Sequence, residues 1–372
     1  MSGENLALVM RLQRDAAESE GSGPPRRAPC LTIEPRPLAP LAADAIRVRM
    51  LLAGLCGTDV HLTRADPETG AMESSAPFDP GRDGRVLGHE GVGRVVEVGG
   101  GVRGFRPGDV VTFESIVTCQ ECVPCRRGQF NQCRRGRLIG AEIDGLFREV
   151  VDVPARIAHD VSDLAGSPEG LRAAACIEPA ACAHVALSRL GLRPGERVVV
   201  FGAGPIGLYA AMLCRESFGA SAVVVEPIAR RREIASEWAE RTCEVEEFFA
   251  ETSGDPFDVA IEASGELDNV ERVLRRLGPC GRIGLLARRG RPLHVDAVDH
   301  LITNGITIVG SRGHLGGGFA DVLGLHRAGR LPLHRSVTGV VHGLDGLRSE
   351  LLASDPLEHR HAKVLAHLGD LS

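Results

Sequence analysis

The stretch GERVVVFGAGPIGLYAAMLCRESFGASAVVVEP, residues 195–227, decides how the chain is read. RVVVFG has the make-up of a short buried strand. GAGPIG then sets Gly202, Gly204 and Gly207 in the G-x-G-x-x-G spacing, with Pro205 and Ile206 between the last two. An apolar helical pattern follows through Leu213 and Phe218, and AVVVE reads as a second strand. In a strand–turn–helix–strand unit the three glycines have separate tasks. The first makes the turn, the second lets the backbone approach a pyrophosphate, and the third lets the helix pack on the strand with its N-terminus facing the phosphates. A glycine turn that binds no dinucleotide is the alternative, and the complete unit argues against it.

Glu226 ends the second strand, where an acid is expected to bind the adenosine ribose hydroxyls and repel a 2′-phosphate. That favours NAD. Arg230, Arg231 and Arg232 keep NADP open, and Arg231 is counted with Glu226 and the turn as cofactor-binding. FDVAIEASG (257–265), GRIGLLA (281–287) and ITIVGSRG (306–313) continue the strands, with helical LDNVERVLRRLG between the first two. The spacing predicts an α/β fold with a doubly wound parallel sheet.

The chain has 372 residues, beyond the roughly 250–300 at which single cores stop growing, so two domains are expected. A net charge of −6 gives no broad basic surface for nucleic acid or anionic membrane. No apolar run reaches the roughly 20 residues that span a bilayer, and MSGENLALVMRLQRDAAESE lacks the pattern of a secretory signal. A cytoplasmic location is expected. The sole lysine, Lys363, stands in an apolar C-terminal run, which leaves no candidate for a lysine Schiff base.

Four of the eleven cysteines fall in TCQECVPCRRGQFNQC, residues 118–133. Cys119, Cys122, Cys125 and Cys133 have the spacing C-x2-C-x2-C-x7-C in a segment of surface-loop composition. Four thiolates satisfy tetrahedral zinc and leave no position for water, so the site is structural rather than catalytic. Free or redox-active cysteines are the alternative.

A second group is scattered. GLCGTDVH holds Cys56, Thr58, Asp59 and His61; GHEGVGRVVEVG holds His89 and Glu90; CIEPAACAHVAL holds Cys176, Glu178, Cys182 and His184. Cysteine, histidine and carboxylate together make a mixed zinc site with a position left for water or substrate. Alone, such residues are more often core than ligand.

In this order, GLCGTDVH, GHEGVGRVVEVGGGV, the four-cysteine segment, IEPAACA and GAGPIG resemble the zinc-dependent medium-chain alcohol dehydrogenases. Glu178-Pro179 brings the likeness closest to the polyol, sugar and threonine dehydrogenase branch. The resemblance covers nearly the whole chain. It implies a GroES-like β-rich substrate domain over 1–178 with a zinc lobe at 115–136, a Rossmann domain over 179–315, and a return to the first domain over 316–372. The active site would then lie between the domains. It also implies a catalytic zinc among Cys56, His89 and Glu178, with Glu90 nearby and able to exchange with water as a ligand. Thr58 would hydrogen-bond the substrate oxygen and His61 would pass the proton to solvent. Asp59 would orient the loop or a ligand, Cys182 is a fallback ligand, and Cys176 and His184 read as packing.

The expected activity is hydride transfer between a secondary alcohol (sugar, polyol, aminocyclitol or amino alcohol) and NAD(P), with two zinc ions per chain. A harder, oxygen-loving site containing Glu178 would suit a chelating substrate. The resemblance also suggests that the strand TIVGS could pair across a two-fold axis, giving a homodimer or homotetramer. Two inserts stand out: 14–29, read as a loose hairpin connection, and 63–84, whose Asp66, Glu68, Glu73, Arg82 and Asp83 could bind a polar substrate. Two other functions compete. A zinc-free quinone or enone reductase would lack the lobe and the ligands, and a non-catalytic dinucleotide sensor would have no need of Thr58 and His61.

Overall fold

Ala45–Leu55 is buried over nearly all its length and organises the first half of the chain. It pairs antiparallel with Glu90–Val98, Val150–Pro154 and Lys363–His367. Val110–Phe113 and Ala158–Asp160 extend the sheet on one side and Val337–His342 on the other, making seven strands. Leu6–Arg14 and Arg27–Pro35 form an antiparallel hairpin, with Arg85–Val86 on its other edge. One cluster, including Ile46, Val48, Met50, Val111 and Phe113, packs one part of this unit. A second, including Leu8, Met10, Leu55, Leu87 and Phe147, joins the hairpin to the helix Gly343–Leu351. This computed structural model describes residues 5–14, 27–65, 72–251, 255–288, 290–354 and 357–370. Most of the 14–29 insert, and Asp66 and Glu68, lie outside the described residues.

By contact the chain divides into two units: 1–178 with 339–357 and 364–372, and 179–338 with 358–363. In the second unit six strands lie parallel. Their order across the sheet is Arg241–Cys243, Ser221–Val225, Arg197–Phe201, Phe257–Glu262, Leu277–Leu285 and Thr307–Gly310. Numbered along the chain this is 3-2-1-4-5-6, the doubly wound order. The central strands read as continuous apolar runs because helices cover parallel sheets on both faces. Phe201, Phe248, Ala260, Val270 and Ile283 share one core cluster there.

The second unit continues past the expected return at 316. Gly318 opens the helix Gly318–Arg327 against Ala181 and Val185, so closely that a Cβ would lie 2.8 Å from a Val185 methyl. Tyr209 Oη then meets Ser336 Oγ at 2.6 Å, both side chains buried. These contacts hold 316–338 to the helices Ile177–Arg189 and Pro205–Glu216 of the second unit, and the chain crosses back at Gly339. No described helix is long and apolar enough to cross a membrane.

Candidate functional site

The four-cysteine segment is closed at its base by Ile116–Val117 pairing with Arg137–Leu138. A short helix, Val123–Arg126, starts from Cys122, and a 3-10 turn, Phe130–Gln132, brings Cys133 back. Cys122 Sγ lies 3.5 Å from Cys125 Sγ and 3.8 Å from Cys133 Sγ, and Cys133 Sγ lies 3.4 Å from Cys119 Sγ. A disulfide would require about 2.05 Å. Sulfurs placed 2.3 Å from a tetrahedral zinc stand about 3.8 Å apart, so the observed spacing fits the ion. The Glu121 backbone N–H, first among several donors, lowers the Cys119 thiol to about 6, whereas burial pushes Cys125 up to about 12. A central dication would let all four be thiolates.

The mixed set forms around a short helix. Gly57–Thr63 begins at Cys56, whose N–H donates to Asp59 Oδ2 at 3.0 Å. Asp59 is fully buried; its other oxygen accepts from Gly88 N at 3.3 Å and faces His89 Nδ1 at 3.6 Å. One carboxylate thereby ties the two segments GLCGTDVH and GHEG together and orients the imidazole. Donor atoms of Cys56, His89 and Glu90 all lie within 4.8 Å of one another. Burial lowers the His89 pKa, but the charges of Asp59 and then Cys56 outweigh it and hold the imidazole well above its ordinary value. Such an anionic, sulfur–nitrogen–oxygen pocket fits a divalent ion.

Glu178 is not in that group. It sits in the first turn of Ile177–Arg189, buried, and accepts from Ser115 Oγ at 2.7 Å. Cys182, one turn further on, has its sulfur 3.7 Å from His314 Nδ1. His184 packs against Phe218 and faces Asp321, and Cys176 is fully buried.

Thr58 and His61 are three residues apart on the Gly57–Thr63 helix and so share a face. His61 Nδ1 lies 3.4 Å from Glu73 Oε2. Glu73 comes from the 63–84 insert, which is clipped to the helix end by an Ala65–Met72 bridge and by Glu73 N–H donating to Arg64 O at 3.2 Å. The insert therefore aims a carboxylate at a helix histidine, a pairing that no sequence spacing announces. His314 stands in SRGHLGGG, which has no ligand-like pattern.

At the glycine turn, Gly202 has φ +93°, and a Cβ on Gly207 would sit 1.9 Å from Gly202 O. The space at Gly204 is open except for Arg231 Nη1, 3.7 Å from where a Cβ would stand. Pro205 starts the helix Pro205–Glu216 with Ile206 next to it. Glu226, 3% exposed, accepts from Ala203 N at 2.7 Å and from Ile228 N at 2.9 Å. Of the three arginines, Arg231 faces the turn. Arg230 pairs with Glu233, while Arg232 holds Glu226 O, Pro227 O and Glu244.

The pattern for an alcohol dehydrogenase GroES-like domain matches residues 42–163, and that for a zinc-binding dehydrogenase matches 205–325. The L-threonine 3-dehydrogenase of Pyrococcus horikoshii is 31% identical over 310 residues, which cover 81% of this chain and 85% of that one. The sorbitol dehydrogenase of Halalkalibacterium halodurans is 31% identical over 282 residues, covering 72% and 76%. A solved short-chain alcohol dehydrogenase of Escherichia coli, in complex with NADH, superposes with a TM-score of 0.82 over 98% of this chain and 100% of that one; at 24% identity this shows the fold alone.

Proposed function

This chain belongs to the zinc-dependent medium-chain alcohol dehydrogenase family, and on that premise we propose that it oxidises a secondary alcohol of a polyol or amino alcohol, with NAD as acceptor. The observation that carries the reading is the group of half-buried Cys56 with buried His89 and Glu90, beside a helix bearing Thr58 and His61. These three residues would hold a catalytic zinc, with Glu178 as the carboxylate that could exchange with Glu90. Cys119, Cys122, Cys125 and Cys133 would hold a second, structural zinc. When bound, zinc supplies Lewis acidity that makes a neighbouring hydroxyl easier to deprotonate, and the nicotinamide supplies a hydride acceptor.

The chain's own residues then manage the proton. Thr58 Oγ1 can accept one hydrogen bond and donate another. Glu73 Oε2 beside Nδ1 orients the His61 ring and leaves its other nitrogen, Nε2, for proton exchange. Asp59 keeps His89 oriented by the same logic.

Glu226 supports NAD over NADP, since its buried carboxylate stands at the mouth of the glycine turn, where a 2′-phosphate would meet negative charge. The edge strand Thr307–Gly310 and the exposed Val298 and Ile302 on the neighbouring helix support self-association as a dimer or tetramer. The lack of any disulfide among the described cysteines supports a reducing, cytoplasmic compartment.

The relatives are dehydrogenases, which does not favour a zinc-free reductase. The test is a panel of polyols, amino alcohols and their ketones assayed with NAD and NADP, alongside zinc analysis. Alcohol-dependent NADH formation that is lost on zinc removal supports the reading. Turnover that survives complete removal of zinc contradicts it.

A further inference from the structure

We propose that Arg288, Ser311 and Arg312 form a receptor for an anionic group on the substrate, a carboxylate or a phosphate monoester. The inference rests on the dehydrogenase reading above and narrows its substrate class.

The sheet order assigns the two halves of the cofactor. Gly202 and Glu226 mark Arg197–Phe201 and Ser221–Val225 as the adenosine half. The nicotinamide half therefore lies on Phe257–Glu262, Leu277–Leu285 and Thr307–Gly310. The last two strands are parallel neighbours with Leu285 opposite Gly310, and Ser311 N–H donates to Leu285 O at 2.9 Å. Arg288 follows Leu285 by three residues and Arg312 follows Gly310 by two. Both arginines thus stand just beyond the carboxyl ends of adjacent strands, the edge at which open α/β sheets bind ligands.

Their charges are uncompensated. Elsewhere in this unit arginines meet carboxylates: Arg282 with Glu196, Arg232 with Glu244, Arg272 with Glu246. Among the described residues neither Arg288 nor Arg312 has a hydrogen-bond or carboxylate partner. Arg288 is exposed and Arg312 half-buried. Partial desolvation, and then the positive charge of Arg312, lower the Arg288 pKa. Between the strand end and Arg312, Ser311 Oγ is buried with no hydrogen-bond partner among the described residues. Two guanidiniums that repel each other, next to an unsatisfied hydroxyl, gain most from an oxyanion, whose geometry the guanidinium fork matches. An adenosine 2′-phosphate is not the candidate, because it would belong at Glu226 in the other half of the sheet. A neutral polyol would leave both charges unmet.

The test is calorimetric titration of the NADH-saturated full chain with D-gluconate, galactitol 1-phosphate and neutral galactitol. The first two separate a carboxylate from a phosphate on similar frames. At least one anion is expected to bind about tenfold or more tighter than galactitol. The double variant Arg288→Gln, Arg312→Gln is expected to erase that advantage, weakening the anion about tenfold to a hundredfold while galactitol and NADH bind as before. Ser311→Ala is expected to weaken the same anion alone, by a few-fold. Equal binding of anion and neutral polyol, no binding of either anion, or a loss of NADH affinity in the double variant would each overturn the proposal. Turnover of neutral polyols by the unsubstituted chain, assayed in parallel, reports separately on the dehydrogenase reading.

Discussion

The two candidate metal centres are made in opposite ways. The four-cysteine lobe draws every donor from fifteen consecutive residues, 119–133, and presents only sulfur. The Cys56–His89–Glu90 group draws its donors from two segments, mixes sulfur, nitrogen and oxygen, and depends on a buried aspartate, Asp59, to bring them together. The first arrangement closes around an ion; the second has fewer protein donors than a tetrahedron has corners. Local chain geometry is enough to build a structural clip. A reactive centre needs donors fixed from a distance, so that a corner can stay free for substrate.

The comparison breaks most visibly at Cys56. Cys56→Ser is expected to remove the mixed-site zinc, lower kcat by about a thousandfold or more, and leave the lobe zinc in place, as read by zinc analysis with steady-state kinetics. If both ions were lost together, the centres would not be independent. Cys125→Ser should do the reverse in kind. The lobe ion is lost and the midpoint of thermal unfolding falls by roughly several degrees, while enzyme kept cold retains most of its turnover. Unchanged thermal stability would deny the lobe a structural role.

Smaller effects separate proton handling from metal holding. Glu73→Gln is expected to keep both zinc ions and the KM for NAD, while kcat falls about tenfold. Glu73→Asp should recover part of the loss. A lower zinc content in Glu73→Gln would show that the insert supports the fold rather than His61. Least of all, Glu226→Gln should raise the KM for NAD by about three- to tenfold and narrow the gap to NADP. An unchanged cofactor ratio would take Glu226 out of cofactor choice.

How far the sequence could be read follows the same division. The lobe and the glycine turn are legible because their residues are neighbours: the thiols at C-x2-C-x2-C-x7-C, and Gly202 and Gly207 fixed by a turn that would clash with any side chain. The parallel sheet is legible from apolar runs such as RVVVF and FDVAIE. What escapes depends on packing between distant segments. Spacing alone does not reveal that Glu90 joins Cys56 and His89 while Glu178 is held by Ser115, because both glutamates flank plausible ligands. Nor does it show that Glu73 reaches His61, since the insert's composition suggests only a polar loop. The crossing at Gly339 rather than 316 rests on Gly318 fitting against Ala181 and Val185, a contact across more than 130 residues of chain.

The most direct measurement is a crystal structure of the zinc-loaded chain with anomalous data collected on both sides of the zinc absorption edge. Two peaks per chain are expected. One should lie about 2.3 Å from the sulfurs of Cys119, Cys122, Cys125 and Cys133; the other should touch Cys56, His89 and one carboxylate, with a ligand position not filled by protein. A single peak in the lobe, with no metal at Cys56 and His89, would contradict the account.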